Sequence, residues 1–293
     1  MIIVKLMGGL GNQMFQYAAG RALAHRNNAV LKLDMSFLHG SQENDTPRQF
    51  MLDAFNISAE CALPLEIPYL GANPSFFQQC RSIYLRWLNK CCTNVLIDYD
   101  HRINDSFFSA PDNSYLEGYW QSEKYFIAHA TTIRNDFTPL GEPEDVNRQL
   151  SSYMEKTNSV AIHVRRGDYI NNPRINSVHG ICSLEYYQQC VKSLSAQVDN
   201  PEYFVFSDEP DWVGKHLQLD GKVTVVDNNT PEMPVWDLWL MSKCKHNIIA
   251  NSSFSWWGAW LNGNPDKIVF APKQWFSGGN VQPNIIPEQW RLA

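Results

Sequence analysis

From about residue 160 onward the sequence repeats one pattern, a short apolar run followed by a stretch of helical length and then another apolar run. The runs are Val160 to Val164, Tyr203 to Ser207, Val223 to Val226, Asn247 to Ala250 and Ile268 to Ala271. Between them Leu184 to Leu194, Pro234 to Cys244 and Ser253 to Leu261 carry apolar residues at helical spacing. Strands with little polar alternation are buried on both faces, and strands that alternate with helices join by right-handed crossovers into a parallel sheet. The N-terminus opens in the same way, with a strand from Ile2 to Met7, a glycine turn and a helix from about Asn12 to His25.

Between these ends the pattern is looser. A strand is expected at Ala29 to Leu33, then an irregular stretch from Asp34 to Pro74 in which prolines at 47, 64, 68 and 74 prevent long helices. Helical periodicity returns over Phe76 to Cys92 and Glu123 to Arg134, with strands at Val95 to Ile97 and Tyr115 to Trp120. The run Thr138 to Pro143 reads as a linker. At roughly 150 residues per domain, the 293 residues make two Rossmann-like α/β domains, 1–150 and 151–293.

Composition narrows the partners. With 44% hydrophobic and 18% charged residues the chain is globular throughout, and a net charge of −6 offers nucleic acid or an anionic membrane no broad attraction. Any phosphate must therefore be held by a local group of cations. No window approaches the roughly 20 apolar residues of a membrane span. The N-terminal apolar stretch is too short for a secretory signal, so a cytoplasmic protein is expected. The seven cysteines contain no CxxC pair and no zinc-type spacing, which fits reduced thiols and no metal site.

Parallel sheets bind ligands beyond the carboxyl ends of their strands, and three such ends carry polar residues. After Val160 to Val164, with His163 within the strand, come Arg165, Arg166, Gly167 and Asp168. Adjacent arginines repel unless an anion lies between them, and the guanidinium fork suits phosphate oxygens; the plainer reading is a salt bridge to Asp168 and a second carboxylate. After Tyr203 to Ser207 come Asp208, Glu209 and, three residues on, Trp212. A carboxylate at Asp208 can accept from the ring N–H and amino group of guanine, with Trp212 packed nearby, or it is simply a helix cap. Asn251, Ser252 and Ser253 open a helix whose free N–H groups suit a pyrophosphate. The aromatic helix behind them reads as core.

The glycine turn lacks the third glycine of a dinucleotide fingerprint and the lysine of a P-loop. It offers close backbone approach instead, with Asn12 and Gln13 at a helix start. A single DxD-like triplet, Asp98, Tyr99 and Asp100, is weak evidence for a metal.

With these residues in place the chain resembles the α-1,2-fucosyltransferases of glycosyltransferase family 11, nearly end to end. Three blocks carry the likeness: Gly8-Gly9-Leu10-Gly11-Asn12-Gln13, His163-Val164-Arg165-Arg166-Gly167-Asp168 and Ala250-Asn251-Ser252-Ser253-Phe254-Ser255-Trp256-Trp257-Gly258. The second matches the HxRRxD block that α-1,2-, α-1,6- and protein O-fucosyltransferases share. The resemblance implies a GT-B-like fold with two domains facing a cleft. It implies GDP-β-L-fucose as donor, transfer to the 2-hydroxyl of a terminal galactose on an oligosaccharide, inversion, and no required metal or cofactor. Mapped onto this chain, His163, Arg165, Arg166, Asp208, Asn251, Ser252 and Ser253 bind the donor. Gly11, Asn12 and Gln13 lie near the acceptor or the donor fucose, and Tyr119, Trp120 and Gln121 line the acceptor cleft. Arg166 supports catalysis, and the general base is Asp168, His179 or neither. Without the N-terminal anchor of mammalian members, the implied protein is a bacterial one, free in the cytoplasm or peripheral to the inner membrane. The rivals are a fucosyltransferase of another linkage, a silent carbohydrate-binding protein, and an NTPase that the missing Walker lysine disfavours.

Overall fold

In a computed structural model, which describes residues 1–40, 48–68, 92–100, 102–167, 180–277 and 284–293, the apolar runs become the strands of two parallel sheets. The chain divides into two units between Thr138 and Pro139.

The first unit contains β1 (Ile2–Lys5), α1 (Leu10–Arg26), β2 (Leu31–Asp34), α2 (Ser36–His39), β3 (Glu60–Cys61), β4 (Asn94–Asp98), β5 (Ser114–Gly118) and α3 (Ala130–Asp136). Its sheet runs β3-β2-β1-β5-β4, with every neighbouring pair parallel. Ile2, Ile3 and Val4 are wholly buried, as a strand covered on both faces must be. Small residues let α1 lie close over it: at Gly20 an added Cβ would come 2.9 Å from Leu31 Cδ1 and 3.1 Å from Val4 Cγ1.

The second unit contains α4 (Asp145–Lys156), β6 (Ser159–Val164), α5 (Leu184–Ser195), β7 (Glu202–Ser207), α6 (Pro210–His216), β8 (Lys222–Val226), α7 (Val235–Lys243), β9 (His246–Ile248), α8 (Ser253–Leu261), β10 (Val269–Ala271) and β11 (Arg291–Leu292). Its parallel sheet runs β11-β10-β9-β6-β7-β8. The aromatic helix is core: on α8, Trp256 and Trp257 are wholly buried and Trp260 nearly so, and Trp256 Nε1 donates to Ile285 O at 2.7 Å. Truncating one such ring costs roughly 3 to 5 kcal/mol.

Strand order reverses between β1 and β5 in the first sheet and between β6 and β9 in the second. The carboxyl ends beside those reversals are where parallel sheets open a ligand crevice.

The α/β class with two Rossmann-like units is the one the sequence implies. Several local expectations change. The unit boundary falls inside the polar run 138–143 rather than at 150, because α4, which spans residue 150, packs on α7 and β6 of the second unit. The single helix expected at Glu123 to Arg134 is two 3-10 turns, Glu123–Tyr125 and Ile127–His129, followed by α3. The break lies at Phe126, whose ψ is 0°: Phe126 N–H bonds to Glu123 O and His129 N–H to Phe126 O, turns of three residues rather than four. The strand expected to reach Trp120 stops at Gly118, where φ is +133°, and Trp120 itself has φ +55°. The helix expected at Phe76 to Cys92 lies outside the described residues, Cys92 apart. The five described cysteines are free thiols. Among the described residues no helix is long and apolar enough to cross a membrane.

Candidate functional site

In the second unit β6, flanked by β7 and β9, ends at the strand-order reversal. Arg165 and Arg166 leave the end of β6, and directly beside them Asp208 and Glu209 leave the end of β7, Val164 being paired with Ser207. The two cations and two carboxylates interlock. Arg165 Nη1 lies 3.1 Å from Asp208 Oδ2, and Arg166 Nε donates to Glu209 Oε2 at 3.2 Å. Asp208 also accepts two backbone bonds, from Arg166 N–H at 3.0 Å and Gly167 N–H at 2.9 Å. A Cβ on Gly167 would come 2.9 Å from Asp208 Oδ2, so glycine is what lets the carboxylate lie against the turn.

This pairing corrects one step of the sequence argument. The arginines need no bound anion to relieve their repulsion, because neighbouring carboxylates already do so. The same contacts tie Asp208, the residue expected to face guanine, to the arginine turn. What remains open is the Arg166 fork: Nε is bonded, the guanidinium carbon lies 3.3 Å from the Trp212 ring centroid, and among the described residues Nη1 and Nη2 have no partner. Its side chain is 18% exposed, enough for a ligand to reach and little enough for charge to count.

On the other side of the reversal, Ile162 pairs with Ile248, the last residue of β9, two residues before β6 itself ends. The β9 chain enters α8 through Asn251 and Ser252. Ser252 adopts the extended conformation of an N-cap, but its hydroxyl makes no capping bond. The first intrahelical bond runs from Trp256 N–H to Ser252 O, leaving the N–H groups of Ser253, Phe254 and Ser255 at the helix mouth. Asn251 is turned inward and ties two loops together through Nδ2, to Gly180 O at 3.4 Å and Trp275 O at 3.3 Å. Ser252 is 8% exposed and Ser253 more open.

His163 is the penultimate residue of β6, its ring 5.7 Å from that of Phe254. Burial, and then the Arg165 charge, push its imidazole down to about 3, so it is neutral at ordinary pH, and its Nδ1 is buried without a partner. Asp168 and His179, the two expected bases, lie outside the described residues.

In the first unit the reversal between β1 and β5 joins the glycine turn to the turn after β5. Gly8 has φ +75°, a conformation suited to glycine, and a Cβ there would come 2.6 Å from Asn12 Nδ2. Asn12 is partly exposed and accepts from Gln121 Nε2 at 2.9 Å across the reversal. Gln13 is wholly buried and spent on backbone: Nε2 donates to Gly8 O and Gln49 O at 2.9 and 2.7 Å, while Oε1 accepts from Met51 N–H at 3.1 Å. It fixes the turn and presents nothing outward. Gly11 is buried in the first turn of α1. Gln16, which the sequence did not single out, does the same work, accepting from Met7 N–H at 3.0 Å and donating to Gly118 O at 3.1 Å.

The DxD-like triplet does not present two matched carboxylates. Asp98 is buried and bonded to Tyr125 Oη at 2.8 Å, with its pKa raised to about 6 chiefly by burial, whereas Asp100 is exposed. Two other residues escaped the role they take. Glu209 was noted only beside Asp208, and Trp212 only as a neighbour of guanine; neither carries a local signal for an arginine more than forty positions away.

The family model for glycosyl transferase family 11 matches residues 87–288. An α-1,2-colitosyltransferase of Escherichia coli is 36% identical over 295 residues, covering 99% of this chain and 97% of the relative. The O-antigen biosynthesis glycosyltransferase WbnK of Escherichia coli is 33% identical, covering 97% and 98%. A galactoside α-(1,2)-fucosyltransferase 1 of Oryctolagus cuniculus is 25% identical over 87% of this chain and 62% of its own length. Among solved structures, the NodZ α-1,6-fucosyltransferase soaked with GDP-fucose superposes with a TM-score of 0.49 at 16% identity, over 92% of this chain and 94% of that one.

Proposed function

We infer the reaction from one premise: the chain belongs to glycosyltransferase family 11. On that premise the protein transfers L-fucose from GDP-β-L-fucose to the 2-hydroxyl of a terminal galactose, with inversion and without a required metal. The observation that carries the donor assignment is the Arg166 fork. Among the described residues its two terminal nitrogens have no partner, and at the same strand-order reversal the neighbouring β9 leads into α8, whose first N–H groups are uncapped by any side chain.

The chemistry asks for that arrangement. As the galactose hydroxyl attacks the anomeric carbon, the bond to the β-phosphate oxygen breaks and negative charge gathers on the departing diphosphate. Arg166 and the N–H groups of Ser253, Phe254 and Ser255 meet that charge with donors already in place, which lowers the barrier without reorganisation. A fixed guanidinium supplies the charge that a divalent cation supplies in other transferases. Arg165 and Asp208 hold the turn, and His163 in the strand before it is buried and neutral. The hydroxyl proton leaves to Asp168, to His179 or to solvent. The second unit is the donor side, and the first, with Asn12 and Gln121 across its own reversal, is the acceptor side.

The 2-linkage is supported by the names of the relatives, which are α-1,2 transferases of both fucose and colitose. The colitosyltransferase favours one second reading, GDP-colitose as donor, since colitose is fucose without its 3-hydroxyl. Purified protein is incubated with lactose and EDTA and with either GDP-sugar, and the product is read by NMR. An α-1,2-fucosylated lactose formed in EDTA is the expected result. Transfer from GDP-colitose alone selects the second reading, and hydrolysis of GTP with no transfer overturns both.

A further inference from the structure

We propose that Trp212 is a positioning residue that sets the plane of the Arg166 guanidinium for the donor diphosphate; this rests on the reading that Arg166 binds that group. An arginine side chain has four rotatable bonds, and a fork that must meet two phosphate oxygens is useful only if its plane is fixed beforehand. Two contacts fix it. Glu209 takes Nε at 3.2 Å, which sets the direction of the fork, and the indole of Trp212 lies under the guanidinium carbon at 3.3 Å, which sets its plane.

Both supports are themselves held. Glu209 N–H donates to Ser207 Oγ at 3.0 Å at the end of β7. Trp212 sits in the first turn of α6, its N–H donating to Glu209 O at 3.1 Å. Its ring stacks 4.7 Å from His216 at an interplanar angle of 16°, and its inner edge packs on the core of the second unit. The indole is therefore a platform with no freedom to follow the guanidinium if the latter turns. Neither contact uses Nη1 or Nη2, so the clamp orients the arginine without occupying the atoms that a diphosphate would take.

The test is a double-mutant cycle on GDP affinity, measured by calorimetry on the full chain. Trp212→Leu keeps apolar bulk and removes the π face; it is expected to weaken GDP about tenfold. Trp212→Phe keeps a face and is expected to lose no more than about threefold. In an Arg166→Ala background nothing remains for the ring to orient, so Trp212→Leu is expected to change GDP affinity less than twofold. Should Trp212→Leu fail to fold, Trp212→Met, which fills the same space with an unbranched chain, takes its place. A loss of similar size in both backgrounds, or no loss in the wild type, overturns the proposal. Wild-type protein that does not bind GDP at all overturns instead the reading beneath it.

Discussion

Asp208→Asn separates two roles for one carboxylate. Asp208 accepts from Arg166 N–H at 3.0 Å and Gly167 N–H at 2.9 Å and pairs with Arg165 Nη1 at 3.1 Å. Asparagine keeps one acceptor oxygen and turns an NH2 group toward a donor, so at least one charge-assisted bond and the ion pair are lost. Bonds to charged groups contribute about 1.5 to 3 kcal/mol each. The side chain is 20% exposed, and screening reduces the ion-pair share. A total near 2 kcal/mol follows, which is about thirtyfold in an equilibrium constant and several degrees in Tm for a unit of this size. Because the damage is to the turn that presents both arginines, it weakens every diphosphate alike. Inhibition constants for GDP and ADP should both rise about thirtyfold, with their ratio kept within threefold and Tm lowered. If the variant keeps its Tm and its affinity for ADP while the preference for GDP collapses, Asp208 reads guanine and the positioning argument is refuted.

Three further outcomes follow from contacts already described. Arg166→Ala removes the open fork and should lower kcat/KM for the donor about 10²- to 10³-fold; a loss below tenfold in steady-state kinetics contradicts its role. His163 binds a proton near 6.5 when unfolded and near 3 when folded, so stability is complete above 6.5 and falls with acid by about 2 kcal/mol between pH 6.5 and 5. Urea unfolding of His163→Gln should show that much less loss over the same interval, and an unchanged loss would contradict the buried neutral imidazole. Gly118→Ala places a Cβ 2.0 Å from Asp98 O at φ +133°, and should cost about 3 kcal/mol or more; a thermal midpoint equal to wild type would contradict the tight turn.

The sheets were legible because their strands are buried on both faces and so read as apolar runs. Elements that deviate do so for physical reasons. Helix α4 was not expected although Val146, Leu150 and Met154 recur at helical spacing, since two of the three side chains it buries, Asn147 and Ser151, are polar. Asn147 is instead satisfied by Asn228 and Asn229, each at 2.7 Å. At the candidate site, residue types pointed to strand ends without revealing which atoms were already bonded. Gln13 and Asn251 have the amides that a sugar or phosphate site would use, yet both spend them on backbone carbonyls of loops distant in sequence. The pairing of Arg165 and Arg166 with Asp208 and Glu209 depends on β6 lying beside β7, which no local pattern contains.

A structure determined with GDP bound tests the central claim most directly. The account predicts the β-phosphate within about 3.1 Å of Arg166 Nη1 or Nη2, with the first N–H groups of α8 facing it and the indole of Trp212 still under the guanidinium. A diphosphate held elsewhere, with the Arg166 fork still open, would contradict it.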